Sequence, residues 1–404
     1  MSYIRCGRAC RAALALVALL LVVKVGICGA QSAPLAAMSL DLDKKITAPS
    51  AILMEASSGR VLWEKNADVA RPIASVVKVM TLTLVMEALE AGRIDLDDIY
   101  ITSEHAASMG GSQIWLEPGE SMAVSELVKA VAIESANDAA VALAEHVAGS
   151  EPAFVALMNE KAQALGCKNT HFINATGLPG KSPSEDCVSS ARDVAIMSRE
   201  LLKHPRIHEW LTIWIGYVRD GQNMLTNTNR LIRFYPGADG VKTGYTERAR
   251  YCLSATAVRN NVRVIGVVLG VPTSAVRFSE ASTLLDYGFK MCEAHVIARS
   301  GQEMGRVRVL RGIDTEVGVT VDSDFTVVTL RGEGDGVDAR LELPQYVSAP
   351  VERGQRVGKI VAYVEGVEIN SADLVAVDDI PKAGAFTLVV RSTKEFVRSL
   401  FDFR

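Results

Sequence analysis

The chain has 404 residues, 49% of them hydrophobic and 22% charged, so it can bury at least one sizeable core and is long enough for two domains. That composition excludes a disordered tail and a collagen-like fibre. A formal net charge of −4 gives no whole-molecule attraction for nucleic acid, and no nucleic-acid partner is expected.

Arg5, Arg8 and Arg11 precede an apolar run from Ala12 to Val23, which Lys24 interrupts before the small residues Cys28, Gly29 and Ala30. This is the three-part layout of a secretory signal over 1–30, with cleavage near Ala30 or Ala33. A spanning helix needs about 20 apolar residues, and a lysine near its centre costs roughly 2.5 to 3.5 kcal/mol, so a permanent anchor fits less well. Export leaves Cys167, Cys187, Cys252 and Cys292 in the mature chain. They are too few for a disulfide framework in so long a domain, and buried free thiols are expected, with a Cys167–Cys187 bridge as the alternative.

After a polar linker around Ser39 to Pro49, Ala51-Ile52-Leu53-Met54, the turn residues Ser57-Ser58-Gly59-Arg60 and Val61-Leu62-Trp63 read as a hairpin. Apolar residues from Ser75 to Leu89 fall at helical spacing and Gly92 supplies the stop. Further helices are expected at Val124 to Ile133, Asp138 to Val147, Ala153 to Leu165 and Ala191 to Leu202. The period then changes to β-rich runs at Tyr251 to Val258 and Val262 to Val271, parted by Arg259-Asn260-Asn261, and a last helix, Ser274 to Tyr287, covers them. Strands at both ends and helices between them predict one α+β domain whose sheet joins the two ends of the segment.

Beyond Ile297, short alternating runs such as Val307 to Leu310, Val317 to Val321, Thr326 to Leu330 and Lys359 to Val364 predict a small all-β, sandwich-like domain over 297–383. In the tail, 384–404, Phe386, Val389, Val390, Val397, Leu400 and Phe401 share one helical stripe while Arg391, Lys394, Arg398 and Arg404 carry positive charge. A helix of that kind can lie flat on an anionic membrane surface, and docking on the β-domain is the alternative.

Three short motifs carry chemistry. Ser75-Val76-Val77-Lys78 puts a hydroxyl and an amine at i and i+3, on one helix face. An amine held near apolar or positive groups can be neutral at pH 7 and deprotonate the serine without a histidine. Ser135-Ala136-Asn137 falls between two expected helices, where a tight connection can aim a hydroxyl and a carboxamide into a cleft; Asp138 is expected to cap the helix that follows. Lys242-Thr243-Gly244 opens a β-run, where a lysine, a hydroxyl and a glycine allow close approach of an anionic extended substrate. An SxxK arises by chance about once or twice in such a chain, an SxN about once and a KTG in about one chain in ten, so the three in this order form a joint signal. Six scattered histidines lack ligand spacing, and no metal or cofactor is expected. Trp210 and Trp214 are read as core residues on a helical stripe.

The chain resembles the low-molecular-mass penicillin-binding proteins that act as serine-type D-alanyl-D-alanine carboxypeptidases. The likeness extends over 46–296 and includes Arg71-Pro72-Ile73-Ala74-Ser75, Gly111-Ser112-Gln113 with Trp115-Leu116, Ser135 to Ala140, Thr170-His171-Phe172 with Thr176-Gly177-Leu178, and Asp239 to Thr246. It implies a β-lactamase/transpeptidase-like domain, an antiparallel sheet with a helical subdomain, followed by the small β-domain and an amphipathic anchor on the outer face of the bacterial cytoplasmic membrane. By the same resemblance Ser75 attacks the bond between two terminal D-alanines, with Lys78 as general base. Ser135 relays the proton to the leaving amine, Asn137 holds the substrate amide, and Lys242 and Thr243 secure the terminal carboxylate and Ser135. The N–H groups of Ser75 and Tyr245 form the oxyanion hole, and water releases the acyl group. The implied partners are the peptidoglycan stem peptide ending in D-Ala-D-Ala and β-lactams as covalent inhibitors. Cys187-Val188 replaces a His-Tyr pair common in the family, and Ala249-Arg250 stands where Ala-Gly is usual. Two rival readings are a class A-like β-lactamase, against which no Glu-x-x-Leu-Asn follows the second motif, and a catalytically silent cell-wall-binding homologue.

Overall fold

The computed structural model describes residues 42–387 together with Val22, Val23 and Val389. The expected leader, 1–30, and the expected amphipathic tail, 384–404, fall largely outside them. Two compact units make up the chain, one of residues 30–294 with 328–332, the other of 1–29, 295–327 and 333–404.

In the first unit the N-terminal hairpin pairs β1 (Ser50–Glu55) with β2 (Val61–Lys65). Its turn is fixed by the buried Glu55 carboxylate, which accepts from the backbone and hydroxyls of Ser57 and Ser58 at 2.5 to 2.9 Å. Three long strands, β3 (Ala238–Thr246), β4 (Arg250–Arg259) and β5 (Val262–Val271), complete an antiparallel sheet in the order β3-β4-β5-β1-β2. The first strands therefore close on the last, as the pattern of the sequence requires. Asn260 and Asn261 turn β4 into β5 at φ of 49° and 62°, a conformation that asparagine tolerates better than most residues.

The period-2 alternation splits β5 between two cores. Val264 and Val268 join Leu53 under the helix Ser274–Met291, whereas Ile265, Val267 and Leu269 join Ile52 on the opposite face, against the helical subdomain. That subdomain is built round α1 (Lys78–Glu90), which is preceded by a 3₁₀ turn, Ala74–Val77. Residues on every side of α1 are buried, so the helix carries no polar stripe. Around it lie α2 (Val124–Ile133), α3 (Asn137–Ala148), α4 (Glu151–Ala164) and α5 (Ala191–Leu201), with α6 (Ser274–Met291) on the far side of the sheet. Ser150, Ser190 and Thr273 each accept a backbone N–H at the start of α4, α5 and α6, which satisfies donors that the helix itself leaves unpaired.

Two sequence expectations are corrected. Trp210 is buried in a short helix, His208–Leu211, but Trp214 lies beyond its end, half-buried and edge-on to Phe234 with ring centres 6.0 Å apart. The Lys242-Thr243-Gly244 motif lies inside β3 and does not open it. All four described cysteines are buried, and Cys167, Cys187 and Cys252 are free thiols.

In the second unit a sheet runs β8-β10-β11-β7-β6-β9, formed by β6 (Gly305–Leu310), β7 (Glu316–Val321), β8 (Val337–Glu342), β9 (Tyr346–Ser348), β10 (Arg356–Val364) and β11 (Val367–Ala376). Val22 and Val23 pair with Arg340 and Ala339 at its edge. Val307, Val319, Ile360 and Leu374 make its core.

Leu284 on α6 is fully buried against the sheet. Replacing it with alanine is expected to destabilise the first unit by about 2 to 5 kcal/mol, read as an earlier urea transition of tryptophan fluorescence.

Candidate active site

Segments distant in sequence converge on the start of α1. Ser75 sits in the 3₁₀ turn and Lys78 is the first residue of the helix, so the two meet across one turn with Nζ 3.2 Å from Oγ. Lys78 is completely buried, and its other two neighbours are Asn137 Oδ1 at 2.5 Å and the Thr176 carbonyl at 2.7 Å. A neutral amine has two N–H groups and one lone pair. Both of these oxygens can only accept, so they take the two N–H groups and the lone pair is left facing the Ser75 hydroxyl. Burial, then the cation of Lys242, holds the Lys78 pKa well below the ordinary 10.5; Asp138 and Cys187 pull weakly the other way. An amine in its neutral form, so placed, can accept a proton from a serine hydroxyl.

Asn137 is held as firmly as the lysine it orients. Its backbone N–H donates to the Ser112 carbonyl at 2.7 Å and its Nδ2 donates to the Gly110 carbonyl at 2.7 Å, which fixes Oδ1 toward Lys78. A Cβ on Gly111, whose φ is +78°, would lie 2.9 Å from that Nδ2. Asp138 is not the N-cap of α3, a position held by Ala136, but its carboxylate does accept the Ala139 N–H in the first turn at 2.8 Å. Its buried carboxylate accepts from Ile114 and Leu116, at 3.0 to 3.2 Å, and so braces the loop that carries Gly110 to Ser112. Arg219 secures the same loop, donating to the carbonyls of Ile114 and Trp115 while pairing with Glu120.

Ser135 occupies the connection between α2 and α3 at φ +66°, a strained conformation for serine, and its buried Oγ has no hydrogen-bond partner. The expected link from Lys242 or Thr243 to Ser135 is not made in this structure. Lys242 Nζ donates to the Thr243 carbonyl at 3.2 Å, and Thr243 Oγ1 bonds the Thr228 hydroxyl at 2.7 Å.

Lys242 is buried too, and burial followed by the repulsion of Arg277 brings its pKa down to about 7. Arg277, which the motifs did not reveal, projects from α6 with one N–H 3.4 Å from the Gly244 carbonyl, its Nε buried without a partner, and its guanidinium over the Phe278 and Tyr251 rings. Among the described residues neither cation forms a salt bridge. Two buried, electrostatically coupled basic groups without a carboxylate partner can receive an anion, which would raise the pKa of both. The available signal was an arginine at a buried position of α6, in helical register with Ala281 and Leu284.

Gly244 is needed for a different close approach from the one expected. A Cβ there would lie 2.6 Å from the Ile73 carbonyl and 3.2 Å from the Ser75 nitrogen, so the glycine makes room for the turn that carries Ser75. Gly177 does the same from the other side: at φ +80°, its Cβ would be 2.0 Å from the Ala74 carbonyl. Ala74 itself has φ +49°, so the residue before Ser75 is held in a conformation alanine seldom adopts. Tyr245, next along β3, exposes about half its surface and stacks on Tyr251, ring centres 4.3 Å apart. Among the described residues no group of three or more His, Cys, Asp and Glu side chains is placed to hold a metal ion.

Two family models match the chain: D-alanyl-D-alanine carboxypeptidase over 36–273 and the C-terminal domain of penicillin-binding protein 5 over 293–382. The chain is 42% identical over 355 residues to D-alanyl-D-alanine carboxypeptidase DacF of Bacillus subtilis, covering 87% of this chain and 90% of that protein. Among solved structures it is similar to a peptidoglycan synthesis regulatory factor (PBP3) from Streptococcus pneumoniae, with TM-score 0.69 and 31% identity over 83% of this chain and 99% of that one. It is also similar to penicillin-binding protein D2 from Listeria monocytogenes in its cefotaxime-bound form, with TM-score 0.56 and 33% identity over 61% of this chain and 98% of that one.

Gly244→Ala should displace the turn that holds Ser75. Labelling of the protein by a fluorescent penicillin is expected to slow by on the order of 10²-fold, the usual cost of a misplacement near 1 Å at a reacting group.

Proposed function

The chain belongs to the D-alanyl-D-alanine carboxypeptidase family of penicillin-binding proteins, and from that premise we propose that it cleaves the terminal D-Ala-D-Ala bond of peptidoglycan pentapeptides through an acyl-enzyme on Ser75. One observation carries the serine mechanism: a buried lysine whose only free electron pair faces a serine hydroxyl 3.2 Å away.

In this reading the substrate's terminal carboxylate lies against Lys242, Thr243 and Arg277, the cationic end of the cleft, and Asn137 holds the backbone amide before the scissile bond. Ser75 Oγ attacks the carbonyl carbon as its proton passes to Lys78 Nζ, and the carbonyl electron pair moves onto oxygen. The N–H groups of Ser75 and Tyr245 receive that oxyanion; donors of this kind typically contribute about 2.7 to 4 kcal/mol each. Ser135, whose hydroxyl has no internal partner, passes the proton on to the departing D-alanine nitrogen. When the C–N bond breaks, the acyl-serine remains and water hydrolyses it by the reverse sequence of proton transfers. A β-lactam ring presents the same carbonyl, so β-lactams should acylate Ser75. Action outside the cytoplasm, on the outer face of the membrane through 384–404, is part of the proposal and is supported by the basic-apolar leader pattern and the amphipathic pattern of the tail.

The direct test is mass spectrometry of a muropeptide pentapeptide incubated with the purified protein. Loss of one alanine, abolished in Ser75→Ala, is the expected result; joining to a second peptide would show transpeptidation, and rapid turnover of penicillin would favour a β-lactamase.

The electrostatics give a second expectation. Because Lys78 acts in its neutral form, acylation should slow on acidification through its depressed pKa, well below 10.5. Lys242→Met removes the neighbouring cation that lowers it, so the Lys78 pKa rises and the acid limb of the penicillin acylation rate should move to higher pH.

A further inference from the structure

The Thr176 carbonyl belongs to a turn that lies outside the helices and strands. Its shape is set by one side chain. Asn174 Oδ1 accepts from Gly177 N at 2.7 Å, Thr176 Oγ1 at 3.1 Å and Thr176 N at 3.2 Å, while its Nδ2 donates to the Leu178 carbonyl at 2.9 Å. The next residue, Ala175, is pinned from both sides: its N–H donates to Glu151 at 2.9 Å and its carbonyl accepts from Thr81 on α1 at 2.8 Å. The carboxamide in turn has the Cys187 sulfur 3.6 Å from Oδ1, and that sulfur accepts from Ile173 N at 3.3 Å. This turn also presses Gly177 against the Ala74 carbonyl, so it touches the general base and the nucleophile's backbone at once.

We propose that Asn174 is a positioning residue for the reaction: its carboxamide holds the Thr176 carbonyl where it takes one N–H of Lys78, and so keeps the lysine lone pair on Ser75. The proposal rests on the acyl-enzyme reading above. Without the asparagine the turn loses four hydrogen bonds, the carbonyl drifts, and Lys78 can rotate its lone pair away from the hydroxyl while every catalytic side chain is still present. The cysteine that replaces the usual His-Tyr pair has its place here as well, seating the carboxamide. The charged or titratable groups facing Lys78 are Lys242, Asp138 and Cys187, and a carboxylate at 174 would add a fourth.

The test is the pH dependence of acylation by a fluorescent penicillin, measured with the full protein as wild type, Asn174→Ala and Asn174→Asp, alongside melting temperatures. Asn174→Ala is expected to lose on the order of 10²-fold in the acylation rate at saturating penicillin with an unchanged half-saturating concentration. Asn174→Asp keeps acceptor oxygens for Thr176 and Gly177, so it should recover most of that rate, and its charge should move the acid limb to higher pH by about 1 unit. A purely structural asparagine would lower the melting temperature while leaving the rate per folded molecule in place, and that result overturns the proposal. If alanine prevents folding, Asn174→Leu, which fills the same space without hydrogen bonds, decides: an unchanged acylation rate per folded molecule sinks the idea. Wild-type protein that is not labelled at Ser75 would overturn the acyl-enzyme reading and this proposal together.

Discussion

A lysine sealed from water at the first turn of a buried helix is the constraint to which the rest of this domain is fitted. Removing an ammonium from water is costly, and with no carboxylate in contact the group relieves the cost by giving up its proton. Neutrality alone would not make a base, because an amine rotates freely. Two carbonyl oxygens, one from Asn137 and one from Thr176, use up its donors and leave a single direction for the lone pair. The proposed mechanism would therefore depend as much on the residues that hold those oxygens as on Ser75 and Lys78.

This explains where the domain tolerates unfavourable backbone. Ala74 and Ser135 take positive φ beside the nucleophile and at the second motif, and Trp115 does so in the loop that pins Asn137. Residues in that region cost of order 1 to 3 kcal/mol and persist only where surrounding structure over-determines them. Here the surroundings are visible: Asp138 and Arg219 brace the 110–116 loop, and the glycines at 177 and 244 let two other segments approach the nucleophile turn within contact distance. The sheet and the helices on its faces contribute rigidity, which keeps three converging segments in register.

The fold was legible in the sequence where periodicity is strong. The alternation in β5 and the run from Ser75 to Leu89 each have one interpretation, and closure of the sheet follows from strands at both ends of the segment. Less legible were features that depend on three-dimensional proximity. Asp138 reads as a helix cap because capping is the local use of an aspartate before an apolar run; it does take the Ala139 N–H, yet its other two partners lie 22 and 24 residues away. Arg277 bears no motif and lies 33 residues from the Gly244 carbonyl it reaches. Gly244 was recognised as permitting a close approach, but only the fold shows that the approaching group is the serine turn. In each case the residue type was informative and the identity of its partner was not.

The two buried lysines also act on each other. Burial lowers the Lys78 pKa, and the positive charge of Lys242 lowers it further. A substrate carboxylate arriving at Lys242 and Arg277 would cancel much of that field, and the same step would stabilise the protonated form of Lys78. In the proposed reaction the base would thus gain basicity when an anionic chain end fills the site, at the moment a proton must leave Ser75. A ligand of similar shape without the carboxylate would leave Lys242 uncompensated and Lys78 a weaker acceptor. Recognition of a free chain terminus and activation of the serine would then be two consequences of one pair of charges, which gives this cleft a physical reason to act on the end of a peptide and to spare its interior.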